Sequence, residues 1–172
     1  MYMLFRLGRF GAMGLAAMLS GAALAATLPP TDATAFVGSA AQAGLMEVAA
    51  ARHALDVSKN EAVRTFASRM IADHEKAHAE LMQIATAKHI PFPQALDAPH
   101  AKIVDSLQGK SGKTFDAAYA KQMVRDHAEV IELFQANVVH PDSELASFAA
   151  RTLTALQEHK RLADNLAANL KK

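Results

Sequence analysis

The sequence contains no cysteine among its 172 residues, and this absence excludes several kinds of site at once. No disulfide can form, so packing alone must hold the folded chain together. There is also no thiolate nucleophile, no cysteine-ligated zinc site and no iron–sulfur cluster. A lipoprotein anchor, which requires a cysteine after the signal peptide, is excluded as well.

An excess of charge of one sign is also missing. The chain has 18 Lys and Arg residues against 17 Asp and Glu residues, a formal net charge of +1. The two signs are mixed along the chain, whereas a nucleic-acid-binding surface needs clustered Lys and Arg. We therefore expect no nucleic-acid partner.

The N-terminal residues have the pattern of an export signal. Arg6 and Arg9 are followed by an uncharged, apolar run over residues 10–24 that ends in the small residues typical of a cleavage site. This run is shorter than the roughly 20 residues that a membrane-spanning helix needs. The pattern predicts a Sec-type signal peptide over residues 1–25, cleaved near Ala25, and a periplasmic or secreted mature protein. The alternative is an uncleaved N-terminal anchor. The rest of the sequence has no second apolar run that would predict an integral membrane domain after cleavage.

The remaining chain, residues 26–172, has helical periodicity and no alternation typical of strands. Short connections join the first predicted helix to the second and the third to the fourth. A longer stretch with Pro and Gly, and room for a helix of about two turns, separates the second from the third. This order predicts an all-α, ferritin-like four-helix bundle with a long crossover, including a short extra helix, between helices 2 and 3. The four long helices are expected over about residues 32–57, 61–89, 114–139 and 143–170.

The connection between the first two helices carries a capping signal. Ser58-Lys59-Asn60-Glu61 has the Ser-x-x-Glu spacing of a capping box. In that motif the serine and glutamate side chains each satisfy a backbone N–H group at the start of a helix. We therefore expect Ser58 to cap the second helix.

Histidine occurs in two helices at positions where an apolar residue would be easier to bury. His74 follows Met70 by four residues, so both side chains face the same side of the second helix. The pattern recurs in the third long helix, because FASRMIADH (66–74) and YAKQMVRDH (119–127) match in residue type at eight of their nine positions. His127 therefore also belongs to an apolar stripe.

The other two long helices each add a polar residue to an apolar row. His159 continues the buried row of the fourth long helix, and Glu47 continues that of the first. With His74 and His127, these residues lie within about three residues, or roughly 5 Å, of the middles of their helices. The middles of helices meet in a bundle whichever way each helix runs. We therefore expect the four side chains to form one polar layer in the core.

Two arrangements can compensate for the free-energy cost of burying these four polar side chains. In one, the three imidazoles and the carboxylate of Glu47 bind a divalent metal ion such as Zn, Fe, Mn or Cu. In the other, the imidazoles form a metal-free, structural network with neighbouring carboxylates. The acids that directly precede the histidines point toward neighbouring helices, where they can accept the second ring N–H of a ligand. These acids are Asp73, Asp126 and Glu158.

The second helix offers a further pair, Glu75-x-x-His78, with the spacing used in di-iron bundles. A dinuclear site needs a second Glu-x-x-His and two more glutamates, which the third and fourth long helices do not supply. Glu75 and His78 are therefore weaker candidate ligands. The other histidines lie near helix ends or in the crossover and are expected to be solvated: His53, His89, His100 and His140.

Three segments resemble a known family: FASRMIADHEKAHAEL, TFDAAYAKQMVRDHAEVIELF and LTALQEHKRLADNL. They are similar to an exported bacterial family of unknown function with a ferritin-like bundle, whose members are often labelled outer-membrane or secreted proteins. The resemblance covers about residues 33–168. It implies the fold and no established reaction. We therefore expect a non-enzymatic protein, which in the metal-free case would be an envelope or stress-associated module. The alternative is an enzyme, which would be a metal-dependent oxidoreductase.

Overall fold

A computed structural model describes residues 32–171, so the signal peptide predicted over residues 1–25 lies outside the described part of the chain. Within that part, all regular structure is helical, which confirms the predicted all-α fold. No helix between residues 32 and 171 is both long and apolar enough to span a membrane. The helices are α1 (Ala33–Val57), α2 (Glu61–Ala87), α3 (Ala98–Leu107), α4 (Gly112–Asn137) and α5 (Ser143–Asn169).

The core of the bundle consists of two apolar clusters, one at each end. The first apolar cluster joins the end of α1, the starts of α2 and α4, and the end of α5, and it includes Phe66, Phe115 and Leu166. The second apolar cluster joins the opposite ends of the same helices and includes Phe36 and Phe134. Hence α2 and α4 run in the same direction.

This parallel pair requires the connection between α2 and α4 to return along the length of the bundle. The connection contains α3, which packs against α1 and α4. Around the bundle, α1 contacts α2 and α4, and α5 contacts the same two helices. This is the single long crossover of ferritin-like bundles, as predicted.

The turn between α1 and α2 differs from the prediction. Asn60, not Ser58, caps α2, because its side chain accepts hydrogen bonds from the backbone N–H groups of Ala62 and Val63. Ser58 is buried, and its hydroxyl donates to Asp116 Oδ1 at 2.5 Å on α4. The predicted capping box is therefore wrong, because Ser58 faces the core and its hydroxyl contacts a different helix.

Candidate metal centre

A polar layer separates the two apolar clusters. Each of its three histidines lies in sequence between the last residue that its helix contributes to one cluster and the first that it contributes to the other, as His127 does between Met123 and Val130. Glu47 directly follows Met46, the first residue that α1 contributes to the first apolar cluster. All four side chains are buried, with exposed fractions of 0% for Glu47 and His127, 2% for His159 and 7% for His74. The structure thus brings the four predicted residues together at one height.

The three histidines of the layer form a compact triangle. Their ring centroids are 5.3 to 5.7 Å apart. One ring nitrogen from each of His74, His127 and His159 lies within 4.8 Å of the other two. Among residues 32–171 this is the only group of three or more side chains placed to hold a metal ion.

Hydrogen bonds fix which nitrogen of two rings carries the proton. His127 Nδ1 lies 2.9 Å from the backbone oxygen of Met123, which can only accept, so Nδ1 donates and Nε2 keeps its lone pair. His159 Nε2 lies 2.8 Å from Asp73 Oδ2 and donates to that carboxylate, which leaves Nδ1 with its lone pair. Both remaining nitrogens are buried and have no hydrogen-bond partner within the described chain.

The carboxylate of Glu47 is close to two of the rings without a hydrogen bond to either. Its Oε2 lies 3.0 Å from His74 Nε2, and its Oε1 lies 3.2 Å from His127 Nδ1. The distances are short, but neither contact has the geometry of a hydrogen bond. Both oxygens and His74 Nε2 therefore lack a hydrogen-bond partner among residues 32–171. Burying a carboxylate without such compensation costs several kcal/mol.

Burial sets the charge state of the layer. It raises the pKa of Glu47 well above the usual range, and the charge of Asp126 adds to this shift. It lowers the pKa of His127 to about 4, although the hydrogen bond to Met123 opposes the shift. The pKa of His74 is lowered well below its usual value by burial and by the two neighbouring rings. The imidazoles are therefore neutral near pH 7, which is the form that ligates metal ions.

The acids that precede the histidines occupy three different environments. Asp73 accepts the N–H of His159 from the neighbouring helix α5 and also contacts Arg69. Burial would raise the pKa of Asp73, but the hydrogen bonds and charges of His159 and Arg69 hold it below its usual value. Asp126 accepts from Gln122 at 2.6 Å, and Glu158 pairs with Arg161 on the surface. The structure thus places one of the three predicted acids, Asp73, against a histidine of the layer.

The weaker candidate pair lies outside the layer. Glu75 is exposed and accepts from Arg52 at 2.6 Å. His78 is half-buried, and its ring meets Phe92 edge-on at 4.8 Å between centroids. Neither residue belongs to the group that can hold a metal ion within the described chain, so the geometry offers a mononuclear site.

The buried polar residues outside the layer include His140 and Asp116, which were not predicted to be buried. His140 was expected to be solvated, which is wrong: it is 8% exposed, and its Nδ1 accepts from the backbone N–H of Asp142 at the start of α5. Asp116 accepts from Ser58 and joins the α1–α2 turn to α4. Asp116 lies in the segment TFDAAYAKQMVRDHAEVIELF that carries the family resemblance, but the residue that it contacts is 58 positions away.

The comparisons with known proteins agree with the fold. The sequence model of a family described as "Domain of unknown function (DUF4142)" matches residues 17–166. The chain is similar to a solved structure described as the crystal structure of a DUF305 fragment from Deinococcus radiodurans, with a TM-score of 0.72 and 14% identity. The match covers 82% of this chain and 99% of that fragment. No curated protein matches the chain.

Proposed function

The chain belongs to the family described as domain of unknown function DUF4142, and we propose that it binds one divalent transition-metal ion in its polar layer. The ligands are His74 Nε2, His127 Nε2 and His159 Nδ1. Glu47 lies outside the group of three histidines, but its carboxylate, 3.0 Å from His74 Nε2, becomes the fourth ligand after a movement of its side chain. One observation carries the proposal: three neutral rings have inward nitrogens without a hydrogen-bond partner among the described residues, and a fully buried carboxylate lies beside two of these rings. A divalent cation satisfies all of these atoms at once.

The distances suit an ion after a small contraction. If the three nitrogens stood at the 4.8 Å limit, the centre of their triangle would lie about 2.8 Å from each, against the roughly 2.0–2.1 Å of zinc–imidazole bonds. Each ring would move inward by about 0.7 Å, which is within the range of side-chain adjustment. Imidazole with one carboxylate suits Zn, Cu or Fe, and Mn accepts the carboxylate.

The hydrogen bonds around the rings support the same role. A histidine ligand normally donates its other ring N–H to a carboxylate or a backbone carbonyl. His159 donates to Asp73 and His127 donates to the carbonyl of Met123. These two bonds hold the rings of His127 and His159 so that the lone pair of the other ring nitrogen faces the layer.

The competing function is a metal-free structural module of the envelope or of a stress response. The hydrogen bond from His159 to Asp73 favours it, because this bond joins α5 to α2 and fixes their register. That interpretation leaves the oxygens of Glu47 without compensation, so we favour the metal site. Either function would be performed outside the cytoplasm if the predicted signal peptide is used, which cell fractionation and N-terminal sequencing of the mature chain would test.

Metal analysis of the natively produced protein tests the proposal. Protein purified without chelator from its native compartment is expected to carry about one metal ion per chain, and the His127→Ala variant less than about one-tenth. His140→Ala is the matched control, because His140 is buried but lies outside the layer. It is expected to retain the wild-type metal content.

A second variant guards against loss of fold. His159→Gln keeps a polar side chain beside Asp73 and removes only the inward ring nitrogen, so it is expected to remain helical by circular dichroism and still lose the metal. Equal and negligible metal in the wild type and in all three variants would favour the structural module.

A further inference from the structure

A small cavity adjoins the polar layer on one side. It has a volume of about 30 Å³ and is walled by Glu47 and His74, by His78 and Thr152, and by apolar side chains of the second cluster. His127 and His159 do not line it. A cavity of this size holds about two water molecules, so it is a site for a very small ligand.

The polar atoms on the cavity wall point to an occupant. Glu47 is fully buried, and neither of its oxygens has a hydrogen-bond partner within residues 32–171. His78 Nδ1 also has no partner, and a Glu47 carboxylate that ligates the metal through one oxygen keeps its other oxygen available to a bound ligand. Apolar cavities stay empty, whereas a cavity with several unsatisfied polar groups takes water or a polar ligand.

A surface groove leads toward the same place. It lies between α2 and α5, has a volume of about 430 Å³, and reaches Asp73, His74 and His159 at its base. The groove and the cavity share four wall residues: His74, Ala77, Thr152 and Leu156. These four residues lie between the cavity and the groove, and movement of the half-buried Thr152 side chain would open a path.

From this arrangement we infer that the metal ion keeps a coordination position open toward the cavity, and that a small Lewis-basic ligand of no more than about three non-hydrogen atoms binds there. The inference rests on the proposed metal site. The ligand enters between α2 and α5 and adds to the metal beside Glu47, on the side away from His127 and His159. Metal sites that bind exogenous ligands keep such a position, and zinc-type sites expand from four to five ligands when they do so. A ligand as large as free imidazole exceeds the cavity.

Azide binding to the cobalt-substituted protein tests this inference. Co²⁺ replaces the native metal, its stoichiometry is measured first, and its visible absorption bands then report each change in coordination. Azide is expected to change the bands with saturation, whereas imidazole at the same concentrations is expected to leave them unchanged.

Two glycines of α1 provide a matched pair of variants. Gly44 lines the cavity and Gly38 does not, and a Cβ added to either meets no heavy atom within 4 Å. Gly44→Val is expected to weaken azide binding by at least about tenfold by filling the cavity, with cobalt stoichiometry unchanged. Gly38→Val is expected to bind azide as the wild type does.

The outcomes separate the inference from the proposed function. Failure of the wild type to bind cobalt contradicts the metal site itself. Bound cobalt whose bands do not respond to azide overturns the open position alone. Azide binding that is unaffected by Gly44→Val, or equal binding of imidazole, overturns the assignment of the ligand to this cavity.

Discussion

Two buried polar regions of this bundle differ in how well their atoms are satisfied. At the α1–α2 turn, the hydroxyl of Ser58 donates to Asp116 at 2.5 Å and accepts from the backbone N–H of Asn60 at 3.2 Å. In the middle layer, the oxygens of Glu47 and the inward nitrogens of three histidines have no hydrogen-bond partner in the described chain. Both regions are buried and both connect helices.

The difference separates a structural polar group from a binding site. The Ser58–Asp116 pair is complete without any further atom and fixes the turn against α4. The layer is incomplete, because both oxygens of Glu47 and the inward nitrogens of the three rings are buried without a hydrogen-bond partner among residues 32–171. Breaking the first region should therefore lower stability alone, whereas breaking the second should change what the protein binds.

The largest expected effect is stabilisation of the metal-free protein by added Zn²⁺. A ligand present at about 1,000 times its Kd raises the free energy of unfolding by about 4 kcal/mol. Ser58→Ala is expected to show the same increase, because its site is remote from the layer, and His127→Ala is expected to show almost none. Chemical denaturation with and without Zn²⁺ measures this, and an equal increase in His127→Ala would place the ion elsewhere.

Acid should destabilise the metal-free protein through the layer. The pKa of His127 is about 4 in the folded chain against 6.5 when unperturbed, because burial disfavours the charged ring. Between these values the unfolded chain binds a proton that the folded chain does not, so stability is lost as pH falls. The loss from His127 alone is about 3 kcal/mol.

Glu47 has the opposite sign and must be removed to isolate this effect. Because the pKa of Glu47 is raised, the folded, metal-free chain retains a proton that the unfolded chain loses above the usual pKa of 4.5. The contribution of Glu47 to the free energy of unfolding therefore falls as pH rises. Denaturation of Glu47→Gln between pH 6.5 and pH 4, the two pKa values of His127, is expected to show the full acid effect. Adding His127→Gln should remove about 3 kcal/mol of this acid-induced loss of stability. An unchanged dependence of the free energy of unfolding on pH would contradict the lowered pKa of His127.

Ser58→Ala should lower stability without affecting the metal. Asp116 loses a buried donor and the N–H of Asn60 loses its acceptor, which together cost about 1–3 kcal/mol. Urea denaturation measures the loss, and metal analysis of the same sample should equal that of the wild type. Metal loss in this variant would show that the two regions are not independent.

The smallest effect is expected from Asp73→Asn. The amide still accepts from His159 but without the negative charge, so metal affinity should fall by about tenfold, or roughly 1.4 kcal/mol. Glu158→Gln is the matched control, because Glu158 also directly precedes a layer histidine but pairs with Arg161 on the surface. Competition with a coloured chelator measures both affinities, and equal losses would contradict the role given to Asp73.

The fold and the height of the layer could be predicted because they depend on periodicity and helix length. Apolar spacing marks each helix, and helix middles meet in any bundle, so His74 and His127 could be placed at one level before their partners were known. The rotation of each helix about its axis is set by packing with its neighbours. Asp73 and Glu158 therefore look equivalent in the sequence, although one contacts His159 and the other contacts Arg161.

The remaining features depend on contacts between distant residues. Ser58 matches a capping pattern, but its hydroxyl donates to Asp116 and accepts from the backbone N–H of Asn60 within the turn. The cavity beside Glu47 arises where apolar side chains of four helices leave space, and residue types alone do not specify such a gap. The available lone pairs of the rings likewise follow from hydrogen bonds seen only in the folded chain.

Anomalous diffraction from crystals of the natively produced protein, recorded at the absorption edge of its metal, tests the central claim most directly. We expect a single peak about 2.0–2.2 Å from His74 Nε2, His127 Nε2 and His159 Nδ1, with a Glu47 oxygen at a similar distance. A layer that contains only water, with no anomalous peak, would contradict the claim. A peak at Glu75 and His78 instead would also contradict it.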